Sequence, residues 1–169
     1  MKALSAGIIV YRKNADSVEV LLAHMGTPWW AKKDVGAWSI PKGLVQEDEQ
    51  PLDAAKREFN EELSLKLPAG ELIDLGSIEQ HNNKTVMAWA IEGDLDASNM
   101  KSNTTEIEWP PRSGKKQAFP EIDRAAWMSL SDAAAKTVRG QAELFKRLAE
   151  KLQVDLEPAT EEPKQSSLF

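Results

Sequence analysis

The chain has 169 residues, no cysteine and a net charge of −6 from 21 basic and 27 acidic side chains, so a single domain with its own core is expected and disulfides, thiolate metal sites and cysteine nucleophiles are excluded. The acidic balance leaves no broad cationic surface for a long nucleic-acid backbone, although a few clustered Lys and Arg side chains still suffice to capture a polyphosphate. No stretch approaches the roughly 20 apolar residues of a membrane span, and a cytoplasmic protein is expected.

In chain order, residues 3–12 and 18–24 are rich in Ile, Val and Leu and are separated by Lys13-Asn14-Ala15-Asp16, which reads as two strands around a turn. Residues 25–42 change to Gly, Pro, Trp and Lys, as in a long structured loop. Pro51 to Leu65 predicts a helix, with Pro51 in its first turn and Leu52, Ala55, Phe59 and Leu63 on a buried face. Residues 72–80 and 85–91 read as strands flanking His81-Asn82-Asn83-Lys84, whose Asn pair suits a hairpin turn. A polar stretch over 92–117 carries no predicted element, and 123–129 reads as a further strand. Ser131-Asp132 opens a short helical turn, and Leu144, Phe145, Leu148 and Leu152 line one face of a final helix over 141–152. From residue 157 onward the Pro, Glu, Ser and Thr content has no apolar period, which predicts a disordered tail. Strands around one strong helix with another late in the chain indicate a mixed sheet covered by helices.

The chemistry concentrates in the first helix. Glu58, Glu61 and Glu62 fall at i, i+3 and i+4 and share one face. Three stacked anions repel one another unless a hard cation sits between them, and Mg²⁺ is bound through a few carboxylates while keeping positions for water and phosphate oxygens. Taken alone, Glu-x-x-Glu-Glu also fits a solvated acidic face.

The surrounding frame narrows this choice. Gly43, Glu49, Arg57-Glu58, Glu61-Glu62 and the apolar Leu65 stand at the spacings of a Nudix box, and residues 43–65 resemble that box at every defining position except Ser64, where the pattern has glycine. A serine takes the left-handed conformation that ends a helix at a cost of about 1 kcal/mol. The resemblance implies an α/β (α+β) fold, the Nudix-type α/β/α sandwich around a mixed β-sheet with a loop-helix-loop box. It would occupy residues 1–156, ahead of an acidic, polar tail over 157–169.

The same resemblance implies that Glu58, Glu61 and Glu62, with the backbone carbonyl of Lys42, bind Mg²⁺ or Mn²⁺. Glu49 would pair with Arg57 and brace the loop against the helix, where an ordinary surface ion pair is the alternative. In the family's chemistry a metal-activated water attacks one phosphorus of a diphosphate. Glu58 or Glu61 would be the general base, or else a downstream carboxylate such as Glu106, Glu108 or Glu121.

Substrate choice is expected outside the box. Pro41-Lys42-Gly43 resembles the branch that handles dinucleoside polyphosphates, and Lys42 would meet an extra phosphate as a mobile point charge, a solvated lysine being the alternative. Trp29 and Trp30, followed by Lys32 and Lys33, are the first candidates for stacking on a base, core packing being the alternative. The segment 109–116, with Arg112 and Lys115, is either a polyphosphate clamp or a solvated loop. His24 and His81, the two histidines, read as structural or surface residues.

The implied activity is metal-dependent hydrolysis of a diphosphate linkage in a nucleoside diphosphate joined to another moiety, with dinucleoside polyphosphates as the first substrate class. Nucleoside triphosphates and ADP-ribose or other sugar nucleotides would be cut by the same apparatus. A non-catalytic nucleotide-sensing module of the same fold is the reading from another class, and it predicts that metal carboxylates are missing, whereas all are present. The partner is a small-molecule nucleotide, with no long nucleic acid and no membrane.

Overall fold

A computed structural model describes residues 3–15, 17–80 and 83–156. Asp16, His81, Asn82 and the expected tail over 157–169 lie outside the described residues.

Strands β1 (Leu4–Asn14) and β2 (Ser17–Met25) form an antiparallel pair, as the two apolar runs predict. The short β3 (Trp38–Ser39) and β4 (Lys42–Leu44) follow within and just after the Trp- and Lys-bearing loop, and helix α1 spans Pro51–Leu63. Then come β5 (Leu72–Gln80) and β6 (Lys84–Glu92), a 3-10 turn at Ala97–Asn99, β7 (Thr104–Glu108), β8 (Lys116–Pro120), β9 (Ile122–Ser129), α2 (Leu130–Lys136) and α3 (Ala142–Leu152). The main sheet runs β3-β2-β1-β6-β5, with β4 added to β1 and β9 to β2. It is mixed, because β1 and β6 are parallel while the other pairs are antiparallel.

β1 is central and buried on both faces, so its apolar run is nearly continuous. Alternate residues feed two cores: Ala6, Ile8 and Val10 meet Ala54, Ala55, Phe59 and Leu63 of α1, whereas Ile9 and Tyr11 join Ala133, Leu144, Phe145 and Leu148 of α2 and α3. One helix on one face and two on the other make the α/β/α sandwich. No described helix is long and apolar enough to cross a membrane.

The polar stretch over 92–117 holds more structure than its composition predicts. Thr104–Glu108 and Lys116–Pro120 form a separate two-stranded hairpin, in which Thr105 and Ile107 are half-buried and Glu106 and Glu108 exposed. This period of two, carried by a single Ile, is the signal that would have found it.

Helix α1 begins where Pro51 requires, after Gln50 in extended backbone, and stops two residues short of Leu65. Ser64 caps it with φ 54° and ψ 31°, its N–H donating to the Asn60 carbonyl at 2.8 Å. The serine thus takes the left-handed turn that glycine usually supplies. Ser64→Gly is expected to stabilise the protein by about 0.5–1 kcal/mol, read as a raised urea midpoint; an unchanged or lower midpoint would show that Ser64 is not strained.

Candidate active site

Core packing fastens α1 independently of its acidic face. Phe59 and Leu63 are fully buried and contribute roughly 1.5–3 kcal/mol each on leaving water. Glu61 and Glu62 occupy the last turn, where the helix carries no basic residue and its dipole disfavours anions. The anionic crowding is therefore maintained against local electrostatics.

Arg57 organises the box. Its Nε and Nη2 donate to Glu49 Oε2 and Oε1 at 2.9 and 3.0 Å, a bidentate pair. Nη2 also donates to the Leu44 carbonyl at 3.0 Å, and Nη1 to Glu58 Oε1 at 2.8 Å and Glu61 Oε2 at 3.1 Å. All five guanidinium hydrogens are thus spent on the loop and on two box carboxylates. The fork of hydrogen bonds raises the Arg57 pKa, with Glu49 the largest contributor, and Arg57 in turn holds the Glu49 carboxyl below its usual range. Because Glu49 also accepts the Gln46 N–H at 3.0 Å, the geometry is richer than the surface ion pair that was the alternative.

The three-carboxylate cluster is not closed as it stands. Among the described residues no three His, Asp or Glu side chains converge closely enough to hold a metal ion: Glu58 and Glu61 share Arg57 Nη1, while Glu62 turns to the Lys42 N–H. Glu61 is half exposed and Glu58 largely covered.

The donor set nevertheless suits a divalent cation. A Cβ at Gly43 would collide with the Glu58 carboxylate, so glycine is what lets that carboxylate lie against the loop backbone. Glu62 accepts the Lys42 N–H at 3.2 Å through Oε2. Burial pushes its carboxyl up to about 8, Lys42 opposes that rise, and the charges of Glu58 and Glu121 add to it. A buried carboxyl that other carboxylates repel, in an all-oxygen setting, is a place where Mg²⁺ or Mn²⁺ is stabilising.

Lys42 is placed differently from the mobile lip cation expected of it. It is half-buried, and loss of water pulls its ammonium below the usual lysine range, partly offset by Glu62 and worsened by Lys84. Gly7 explains the close seat: a Cβ there would come within 2.6 Å of the Pro41 carbonyl and 2.9 Å of Lys42 Cβ.

Of the three downstream carboxylates, Glu121 is the one whose charge acts on Glu62. Glu106 and Glu108 sit on the exposed face of β7, and Glu108 accepts the Gly114 N–H at 3.1 Å. Arg112 and Lys115 occupy the exposed hairpin tip, Arg112 at φ 64° and the Lys115 carbonyl accepting the Trp109 N–H at 2.9 Å.

The adjacent tryptophans separate. Trp29 meets Trp109 edge-on at 5.8 Å, and Trp109 meets Phe119 at 6.5 Å, which ties the loop to the hairpin. Trp30 carries Lys33 Nζ 5.0 Å from its ring centroid and lines a cavity with Gln80, Lys84 and Arg139, none of which the sequence had singled out. Lys32 is exposed. His24 is fully buried, its Nδ1 2.7 Å from Asp123 Oδ1 and its Nε2 2.6 Å from the Lys33 carbonyl. It is structural, as expected, and clasps this loop to β9. His81 lies outside the described residues.

Comparison with known proteins places this geometry. The NUDIX domain family model matches residues 1–148. Among solved structures, the Ap4A hydrolase of C. elegans, in a binary complex, superimposes with a TM-score of 0.60 at 21% identity, covering 89% of this chain and 98% of that one. The NUDIX domain of Shewanella oneidensis NrtR, complexed with ADP ribose, gives 0.59 at 14% identity over 90% and 89%. A MutT protein from Methanosarcina mazei Go1 gives 0.57 at 17% identity over 90% and 96%. At such identities these structures establish a shared fold, and the family match supplies the rest: the chain belongs to the Nudix family, as a hydrolase acting on phosphorus-containing acid anhydrides.

Proposed function

We propose that the protein is a Mg²⁺- or Mn²⁺-dependent pyrophosphohydrolase that cuts a diphosphate linkage in a nucleoside diphosphate joined to another moiety, with dinucleoside polyphosphates as its substrate class. The carrying observation is the assembly of Arg57 with Glu49 and Glu58, the latter seated against Gly43, beside Glu62 on the Lys42 N–H. Glu58, Glu61, Glu62 and the Lys42 carbonyl would hold the cation, which supplies Lewis-acid neutralisation of phosphate charge.

The chain's own residues do the remainder. Arg57 and Glu49 fix the helix against the loop so that the carboxylates meet the phosphates in one orientation. Water forms the new bond to phosphorus as the anhydride P–O bond breaks, the leaving phosphate keeps the electron pair, and the water proton passes to a nearby carboxylate. Glu58, Glu61 and Glu121 are the candidates for that acceptor. Lys42 and Lys84, with Arg112 and Lys115 on the hairpin, supply positive charge for a long phosphate chain.

The substrate assignment rests on Pro41-Lys42-Gly43 and on this distribution of cations. A panel of dinucleoside polyphosphates, nucleoside triphosphates and ADP-ribose, assayed for Mg²⁺-dependent product release, tests it. Highest kcat/KM on the dinucleoside polyphosphates is expected. Preference for a triphosphate or ADP-ribose would overturn the substrate class, and nucleotide binding without turnover of any compound would replace the enzyme with a sensor.

A further inference from the structure

The loop after β2, the turn between α2 and α3 and the β5–β6 end border an open cavity of about 480 Å³. Met25, Trp30 and Val138 give it an apolar lining, Gln80 a polar one, and Lys84 and Arg139 two cations. We propose that this cavity seats the nucleobase of the substrate, with Trp30 as the stacking surface, the Gln80 amide donating to a ring acceptor, and Lys84 and Arg139 receiving the phosphate of the same nucleoside. The proposal rests on the pyrophosphohydrolase reading above.

The surroundings hold each of these groups in place. Lys33 Nζ already lies over the Trp30 ring, so the part of the indole that lines the cavity is the surface left for a ligand. Gln80 is oriented from behind: its Oε1 accepts from Gln141 Nε2 at 3.2 Å, which leaves its NH₂ as the end available to donate. Gln141 is itself fully buried, held by the Ile40 N–H on its Oε1 at 3.0 Å and by its own donation to Ser39 Oγ at 3.0 Å. The turn that carries Val138 and Arg139 packs closely on the end of β5. Gly140 has φ 99°, and a Cβ there would lie 2.9 Å from the Glu79 carbonyl, so glycine allows the turn to descend onto the end of β5.

Strand pairing links the cavity to the box. Lys84 stands opposite Gln80 in the β5–β6 register, and it opens β6, which pairs with β1, the strand that also carries β4 with Lys42 and Gly43. A nucleoside seated on Trp30 therefore sends its phosphates along Lys84 toward the carboxylates. An apolar pocket with one fixed amide donor and cations at its margin suits an aromatic base bearing a phosphate better than a sugar alone.

Calorimetric titration of the full chain with AMP in EDTA reads this seat without turnover. Trp30→Ala is expected to weaken AMP by about tenfold or more, within the roughly 5- to 150-fold that a lost base stack produces. Val138→Trp, which fills the cavity while keeping the Val138 N–H that donates to the Trp38 carbonyl at 2.8 Å, should abolish AMP binding. Ribose 5-phosphate should bind the parent and Trp30→Ala equally. Equal AMP affinity in the parent and both variants, including none in any of them, overturns the proposal, as does a matching loss for ribose 5-phosphate. Failure of the two readings is distinguishable. AMP binding with this pattern but no hydrolysis of any nucleotide leaves the base seat and removes the enzyme, whereas hydrolysis with unchanged KM in Trp30→Ala does the reverse.

Discussion

Glu62→Gln is expected to lower kcat by at least about a hundredfold while leaving the fold intact. The side chain is the most deeply placed of the box carboxylates, with Oε2 accepting the Lys42 N–H. Glutamine keeps a carbonyl oxygen for that hydrogen bond and removes only the charge. Burial already pushes this carboxyl up to about 8, so a neutral side chain is well tolerated by the protein alone, and Tm should hold or rise. What glutamine cannot supply is an anionic ligand for a divalent cation facing phosphate oxygens. Glu61→Gln should act in the same direction, since Glu61 shares Arg57 Nη1 with Glu58 and lies on the exposed side of the cluster. Rates measured across a Mg²⁺ titration, beside thermal melts, decide the matter. Near-normal turnover in both variants would contradict the assignment of this helix face as the metal site.

The difference between what could and could not be read from the chain follows from distance along it. Helix α1, its acidic face and its buried face are set by spacings of three and four residues, so Phe59, Leu63 and the three carboxylates were legible before any tertiary contact was known. Gly43, Glu49 and Arg57 were legible only because their spacing resembles the Nudix box. Ser64 departs from the glycine of the pattern, yet the backbone takes the same left-handed turn there. Tertiary geometry decided the remainder. Trp29 and Trp30 are neighbours with the same chemistry, and only the docking of the hairpin on Trp29 separates their roles. Gln80, Lys84 and Arg139 come together because β5 and β6 pair in one register and the turn at Gly140 packs on the end of β5. The inward seat of Lys42 depends on Gly7 of β1, which is remote from the box in sequence.

Arg57→Lys is the second large effect expected, and it isolates geometry from charge. Lysine retains the positive charge near Glu49, Glu58 and Glu61 but offers one ammonium in place of a planar fork. It cannot make the bidentate pair with Glu49 and also reach Leu44, Glu58 and Glu61, the set that Arg57 satisfies at 2.8 to 3.1 Å. The helix would then lose its brace to the loop, and Glu58, seated against Gly43, would lose the donor that orients it. Residues that orient metal ligands typically contribute 10- to 100-fold in affinity or activity, so kcat/KM should fall by about that factor. The accompanying signature is a rise of about tenfold or more in the Mg²⁺ concentration giving half-maximal rate. A merely structural brace would lower Tm without moving that midpoint. An Arg57→Lys enzyme with the parent's Mg²⁺ dependence would show that Arg57 holds the helix to the loop but does not position the carboxylates for the cation.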